Sequence, residues 1–342
     1  MDKRIRELFD ALHNSPECSG KEIKTKQLIT EFMNRNTGME YHDLPGGFYY
    51  EHRVNASSGS VVLRVDYDAV TVDEGKAKHL CGHDGHSTAL CLCALRILQE
   101  GTGSNVKLLF QSSEENGQGA KNCLAALNKD DIIFGQHNLP GFPFGKVFTS
   151  MDTFASASCG LILELKGKSS HAAYPELGIS PSGMLADILR LCENYKTPDQ
   201  MITVIGVKMG EEAFGVMAHE AKICLTLRSK TDVGLLQLKN EIIDLISARK
   251  EDLAFTYKEV DYFPATVNHP EQAEEVLKKL DASLLKEPMR WSEDFAYYLK
   301  EHKGAFFGIG AGEDHAGLHT SEYSYPVDLI DITADCFYNL VK

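Results

Sequence analysis

No apolar run in this chain of 342 residues approaches the roughly 20 residues that a membrane-crossing helix needs, and positive charge is scarce, with 35 Lys and Arg against 49 Asp and Glu. The first absence argues against a membrane-spanning protein. The second leaves a net charge of −14, which repels phosphate backbones and anionic lipid, so neither nucleic acid nor membrane is an expected partner. The opening "MDKRIRELFDALH" reads as an amphipathic helix without the apolar core of a signal peptide. A disulfide pattern is missing too. The nine cysteines, at 18, 81, 91, 93, 123, 159, 192, 224 and 336, are odd in number and several lie in apolar text. A reducing, cytoplasmic setting is the simple expectation, with most of them acting as small buried hydrophobes. There is no internal repeat, no low-complexity linker and no G-x-S-x-G elbow. "GIGAG" (308–312) has glycines spaced as in a dinucleotide loop, but no acidic ribose partner follows it.

What is present is enough apolar residue, 43%, for a sizeable core, and a length that suggests two domains. "SVVLRVDYDAV" (60–70) reads as a buried strand ending on carboxylates. "HSTALCLCALRILQE" (86–100) reads as a helix capped at Ser87 or a neighbour. "VKLLFQ" (106–111), a short helix near 119–127 and "DIIFGQHN" (131–138) follow. This alternation predicts an α/β domain with a mostly parallel sheet, where sites gather at the carboxyl ends of strands. From about 153 to 263 the text changes. Strands at "SCGLILELKG", "MITVIGVKMG", "AKICLTLRSK" and "LAFTYKEV", with helices near 180–195 and 232–249, predict a smaller inserted α+β unit. Helices near 270–280 and 293–302, a strand at "AFFGIG" and a closing helix near 326–341 complete the chain. The expected architecture is a split domain, 1–152 with 264–342, interrupted by an inserted domain, 153–263.

Chemistry concentrates at the strand ends. "HLCGHDGH" (79–86) packs three histidines, a cysteine and an aspartate into eight residues, and alone it fits a polar turn as well as a metal site. Glu114 and Glu115 in "SSEENGQGA" follow a strand, where adjacent side chains point different ways. One can ligate while the other faces a substrate, although an exposed acidic turn would read the same. His137 in "GQHNLPG" and His319 in "GLHTSEY" each fit a structural histidine when taken singly. Cys81 beside a histidine could be a thiol nucleophile, but the paired carboxylates and further histidines suit metal better. Cys81 and His83, with His86 as a further candidate, then join Glu115, His137 and His319. Thiolate, imidazole and carboxylate together suit zinc or a related transition ion.

The order and spacing of these pieces resemble the metal-dependent amidohydrolase and peptidase family that includes aminoacylases, hippurate hydrolases and auxin–amino acid conjugate hydrolases. The matching text runs from "SPECSGKE" (15–22) through "LRVDYDAV", "HLCGHDGHSTA", "FQSSEENGQGA", "FGQHNLPGFPFG", "KGKSSHAAYPELGISP", "PATVNHP" and "WSEDFAYYL" to "GLHTSEY" (317–323). The resemblance implies that the split domain is catalytic and holds two divalent metal ions per subunit, zinc or else manganese, cobalt or nickel. Their ligands would be Cys81, His83, Glu115, His137 and His319, with Cys81 a bridging thiolate. Ions about 3.5–4 Å apart would clamp one water and polarise a carbonyl. Glu114 would be the general base on that water, and Asp68 would orient a neighbouring ligand, with Asp84 a lesser candidate for the same role. In the inserted domain His171 would stabilise the oxyanion and Arg228 would hold a substrate carboxylate. Their plain alternatives are a turn before a helix and a solvated strand arginine. The implied activity is cleavage of the amide bond of an N-acyl amino acid or small dipeptide-like substrate, the inserted domain serving as lid and homodimer contact.

Three departures bear on substrate preference. Gly215 and Ala218 in "FGVMAHEA" stand where the family has Asn and Pro, with His219 a candidate replacement. "TVDEGKAKH" before Cys81 is short, which would open the rim, and "SSEEN" replaces Pro-Ala and Gly around the carboxylate pair. A catalytically idle relative that uses the scaffold for metal-dependent binding or assembly is the alternative expectation.

Overall fold

The computed structural model of the chain describes residues 2–55, 59–72, 75–248 and 253–342. It divides into two compact units, Met1–Phe154 with Thr266–Glu287 and Asp294–Lys342, and Ala155–Ala265 with Pro288–Glu293. The reading of 264–342 as one piece did not separate Pro288–Glu293. That hexapeptide joins the second unit because the Ser156 N–H donates to the carbonyls of Met289 (3.0 Å) and Trp291 (3.1 Å).

The first unit is built on an eight-stranded sheet in the order Glu40–Leu44, Gly47–His52, Asn105–Gln111, Ser60–Asp66, Ile132–Pro140, Gly304–Gly312, Val147–Thr149 and Ser283–Leu284. Its centre is parallel: Ser60–Asp66 pairs with Asn105–Gln111 and Ile132–Pro140, and the latter with Gly304–Gly312. Central strands covered on both faces read as nearly unbroken apolar runs, and every residue of Asn105–Gln111 is buried. Helices Lys3–His13, His83–Glu100 and Leu329–Val341 send Leu8, Phe9, Leu90, Phe337 and Leu340 into one core with Phe48, Leu63 and Phe110. The expected mixed α/β class, with a large and mostly parallel sheet, is the observed one.

The second unit carries an antiparallel sheet in the order Gln200–Met209, Glu220–Ser229, Ala157–Lys166 and Ala254–Phe263. Alternation along Glu220–Ser229 sends Ile223, Leu225 and Leu227 inward. There they meet Leu185, Ile188, Leu238 and Ile242 of helices Ser182–Asn194 and Asp232–Ala248. Residue 249 of the expected second helix lies outside the described residues, as do Asp73 and Glu74 of the short segment read as an open rim. Cysteine behaves as the composition suggested. Cys91, Cys93, Cys123, Cys159, Cys192 and Cys336 are buried and free, and burial pushes the Cys123 and Cys336 thiols up to about 12.

Candidate metal centre

Helix His83–Glu100 begins three residues before the start expected at His86. Gly82 makes this possible, because its φ of 103° lies in the left-handed region and a Cβ there would come within 2.5 Å of Asn138 Oδ1 and Tyr323 Oη. Ser87, the expected cap, instead donates its hydroxyl to the Asp66 carbonyl at 2.8 Å. Gly82 therefore sets the relative aim of Cys81 and His83. Gly82→Ala is expected to strain the turn, displace Asn138 and Tyr323, and weaken metal retention by roughly 10–100-fold, the usual scale for a disturbed ligand support. Metal content after dialysis, equal to that of the parent, would deny Gly82 this role.

One helix start, one turn after a strand, one strand and one loop deliver the donors: Cys81 and His83 flank Gly82 at the head of His83–Glu100, Glu115 follows Asn105–Gln111, His137 lies within Ile132–Pro140 and His319 sits in a loop. Cys81, His83 and His137 offer ligand atoms within 4.8 Å of one another, and Cys81, Glu115 and His319 do the same, so Cys81 belongs to both triplets. The His137 Nδ1–H donates to the Asn138 carbonyl at 2.8 Å, which leaves Nε2 as a lone pair 3.3 Å from Cys81 Sγ. His83 places Nδ1 3.1 Å from both Oδ1 and the carbonyl of Asp68. Its Nε2 is buried without a hydrogen-bond partner, and so is Glu115 Oε1, 3.8 Å away. His319 has a left-handed φ of 62° and is pinned by its N–H to the Leu80 carbonyl at 2.8 Å. Its Nε2 stands 3.4 Å from Glu115 Oε1. Two orphaned buried atoms 3.8 Å apart, beside a thiol shared by two donor triplets, fit divalent ions, since an unmatched buried polar atom costs about 1–3 kcal/mol.

Glu114 and Glu115 take different backbone partners. The turn before them is set by Ser113, which has a left-handed φ of 58° and whose N–H donates to buried Glu22 Oε1 at 2.8 Å. The Glu115 N–H donates to Asp68 Oδ2 at 3.0 Å, so Asp68 braces both this glutamate and His83. Glu114 is 5% exposed and accepts the Asp294 N–H on Oε1 at 3.4 Å. It also lies within the same 4.8 Å grouping as His83 and Glu115.

His86 is not a free donor. Its Nδ1 is 2.7 Å from Asp66 Oδ1 and its Nε2 is 2.7 Å from Asn138 Oδ1, so both ring nitrogens are engaged. Asp84 is engaged by His13 Nδ1 at 2.7 Å and accepts the Gly85 N–H at 2.9 Å. Beneath the donors lies a network that the motif reading missed. Arg64, fully buried, contacts Asp66 Oδ2 (2.8 Å), Asp294 Oδ1 (2.8 Å) and Gln111 Oε1 (2.9 Å). A lone arginine inside the apolar strand "SVVLRVD" was the available signal. Burial raises both carboxyls. At Asp66 the charges of His83, Arg64 and His86 overcome it and hold the group well below the carboxylate range. At Asp294 burial prevails over Arg64 and the group rises to about 6. At His83 burial opposes charge, but Asp66 and Asp68 push the ring up to about 10. Burial, followed by His86, keeps His137 neutral.

His171 and Arg228 belong to the second unit. His171 is exposed, and its Nδ1 accepts the Ala173 N–H at 3.0 Å, which puts the neutral ring's proton on Nε2. His171 bridges Val216 in the "FGVMAHEA" segment, and the Ala172 N–H donates to the Gly215 carbonyl at 3.0 Å. Arg228 donates from Nη1 to the Arg290 carbonyl (3.1 Å) and Ser292 Oγ (3.0 Å), and so is no simple solvated arginine. His219 is 39% exposed.

A model of the family described as Peptidase family M20/M25/M40 matches residues 62–342. The chain belongs to this family. An N-acetyldiaminopimelate deacetylase of Bacillus velezensis is 25% identical over 351 residues, spanning 94% of this chain and 93% of that protein. IAA-amino acid hydrolase ILR1-like 2 of Arabidopsis thaliana is 29% identical over 357 residues, or 93% of this chain and 80% of its own length. The fold matches that of a dinuclear metal binding peptidase from the M20 family, from Bacillus subtilis, with a TM-score of 0.83 at 20% identity over 98% of this chain and 96% of that one. This M20-family chain is a metal-dependent amidohydrolase. Among its described residues no helix is long and apolar enough to cross a membrane.

Proposed function

We propose that this M20-family enzyme cleaves the amide bond of N-acyl amino acids or small dipeptide-like substrates at a centre of two divalent ions. The observation that carries the reading is the pair of donor triplets sharing Cys81. Cys81, His83, Glu115, His137 and His319 would hold the ions. When bound, the ions would polarise the scissile carbonyl and acidify the attacking water. Glu114, buried beside Glu115 but bonded to the Asp294 amide, takes a proton from that water as its oxygen adds to the carbonyl carbon. It then returns the proton to the leaving nitrogen as the C–N bond breaks. His171, with its proton on Nε2, would donate to the oxyanion, and Arg228 would hold the substrate carboxylate. The named relatives, a deacetylase of an N-acetylated amino acid and an amino acid conjugate hydrolase, support this substrate class.

The inserted unit also exposes Val204, Ile205, Val207 and Met209 along its edge strand, an apolar edge suited to self-association. Chelation followed by return of Zn2+ or Mn2+ tests the whole reading. Activity on a panel of N-acyl amino acids is expected to vanish and to recover with two ions per chain, in a species that sediments as a dimer. Full turnover after complete metal removal would sink the mechanism. Full metal with no turnover on any amide would favour the idle alternative, for which Gly215 and Ala218 are the only motive.

A further inference from the structure

The outermost strand pair of the first unit's sheet, Glu40–Leu44 and Gly47–His52, carries a second constellation. Its register sets Glu40 opposite Glu51 and His42 opposite Tyr49. Residues two apart share a face, so all four stand on one side, while Phe48 and Tyr50 turn to the core. The His42 ring stacks on Tyr49 with centroids 4.5 Å apart and planes 12° from parallel, which fixes its direction. One ligand atom each from Glu40, His42 and Glu51 then lie within 4.8 Å of one another.

Two like charges directly opposite each other across a strand pair are destabilising, and here the charges are poorly answered. The Glu51 side chain is only 8% exposed, and its Oε1 is buried without a hydrogen-bond partner. His42 Nε2 is likewise buried and unmatched, at 3.6 Å from Glu40 Oε1. The neighbouring cations do not fill the gap. Arg53 Nε reaches only the other oxygen of Glu51, at 3.1 Å. Lys107, opposite Glu51 on the next strand, gives its ammonium to Asp131 Oδ2 and the Ala126 carbonyl, both at 2.7 Å.

We propose that Glu40, His42 and Glu51 form a second divalent-cation site, sharing no donor with the catalytic centre and binding a zinc-class ion with water in the remaining positions. One imidazole and two carboxylates suit such an ion. It would answer the opposed carboxylates and tie the edge strand to its neighbour, stabilising the sheet by mass action.

The test is Zn2+ titration of chelator-stripped protein by calorimetry, with elemental analysis after gel filtration. The parent is expected to load one ion per chain more than His42→Ala or Glu51→Gln, with amide hydrolysis unchanged in both variants. Equal stoichiometry in all three proteins overturns the site. Should a variant misfold, nitrogen-15 spectra of the histidine rings in the unaltered protein decide. Zn2+ beyond the amount that restores activity is expected to shift the His42 Nε2 resonance, as coordination through that nitrogen requires. A His42 Nε2 resonance that does not move in excess Zn2+ also overturns the site.

Discussion

Replacing Glu114 with Gln is expected to lower kcat by about 10²–10⁴-fold while leaving the metal content at the parent's level, the range associated with losing a general acid–base group. That loss corresponds to roughly 3–5 kcal/mol of barrier. Gln keeps the length of the side chain and an oxygen for the Asp294 N–H, which lies 3.4 Å from Oε1 in the parent. What it cannot do is accept a proton. The contrasting substitution is Glu115→Gln, which weakens the carboxylate whose Oε1 faces His83 and His319 at 3.8 and 3.4 Å. It is expected to lose metal and activity together. The acid limb of the kcat/KM profile should disappear in Glu114→Gln as well, because the group that must be ionised is gone. Glu114→Gln with parental turnover would remove this residue from the chemistry. Loss of metal in that variant would instead make it a ligand.

Much of this centre was legible because metal donors obey simple local rules. "SSEEN" directly follows the buried strand Asn105–Gln111 and His137 lies near the end of Ile132–Pro140, and strand ends are where an α/β sheet presents side chains to a common cleft. The limits of that legibility are instructive. His83 and His86 stand in the same motif, and nothing local distinguishes them. Both His86 ring nitrogens are engaged by side-chain oxygens of Asp66 and Asn138, partners supplied by two strands. The helix start was misread because sequence periodicity cannot show that Gly82 adopts a left-handed φ. Arg64 was visible as a charge in an apolar run, but its partner Asp294 lies 230 positions away. Such pairings become readable only when the fold is known. The Glu40, His42 and Glu51 grouping is a similar case, since a face shared across two strands depends on register.

Arg64→Met is expected to destabilise the protein by about 3–5 kcal/mol, the cost of removing one partner from a buried ion network. Methionine fills a comparable volume, so cavity formation is a minor part of the effect. The main cost is that Asp66 and Asp294, both fully buried, lose the cation between them. The two carboxylates do not suffer equally. Asp66 still has His86 at 2.7 Å, whereas Asp294 keeps only neutral donors, Gln111 Nε2 (2.9 and 2.7 Å) and the Ala120 N–H (2.9 Å). Asp294 already has its pKa raised by burial from 3.8 to about 6 with Arg64 in place, and without Arg64 it must rise further. A carboxyl whose folded pKa exceeds its unfolded one favours the folded state at low pH and loses that contribution as pH climbs through the folded value. The deficit of Arg64→Met relative to the parent should therefore be smaller at pH 5 than at pH 8, when both are measured by urea unfolding. Adding Asp294→Asn to Arg64→Met should recover part of the loss at pH 8 and little at pH 5. A deficit that is independent of pH, with no recovery in the double variant, would mean that Arg64 acts through packing rather than through the charge of Asp294.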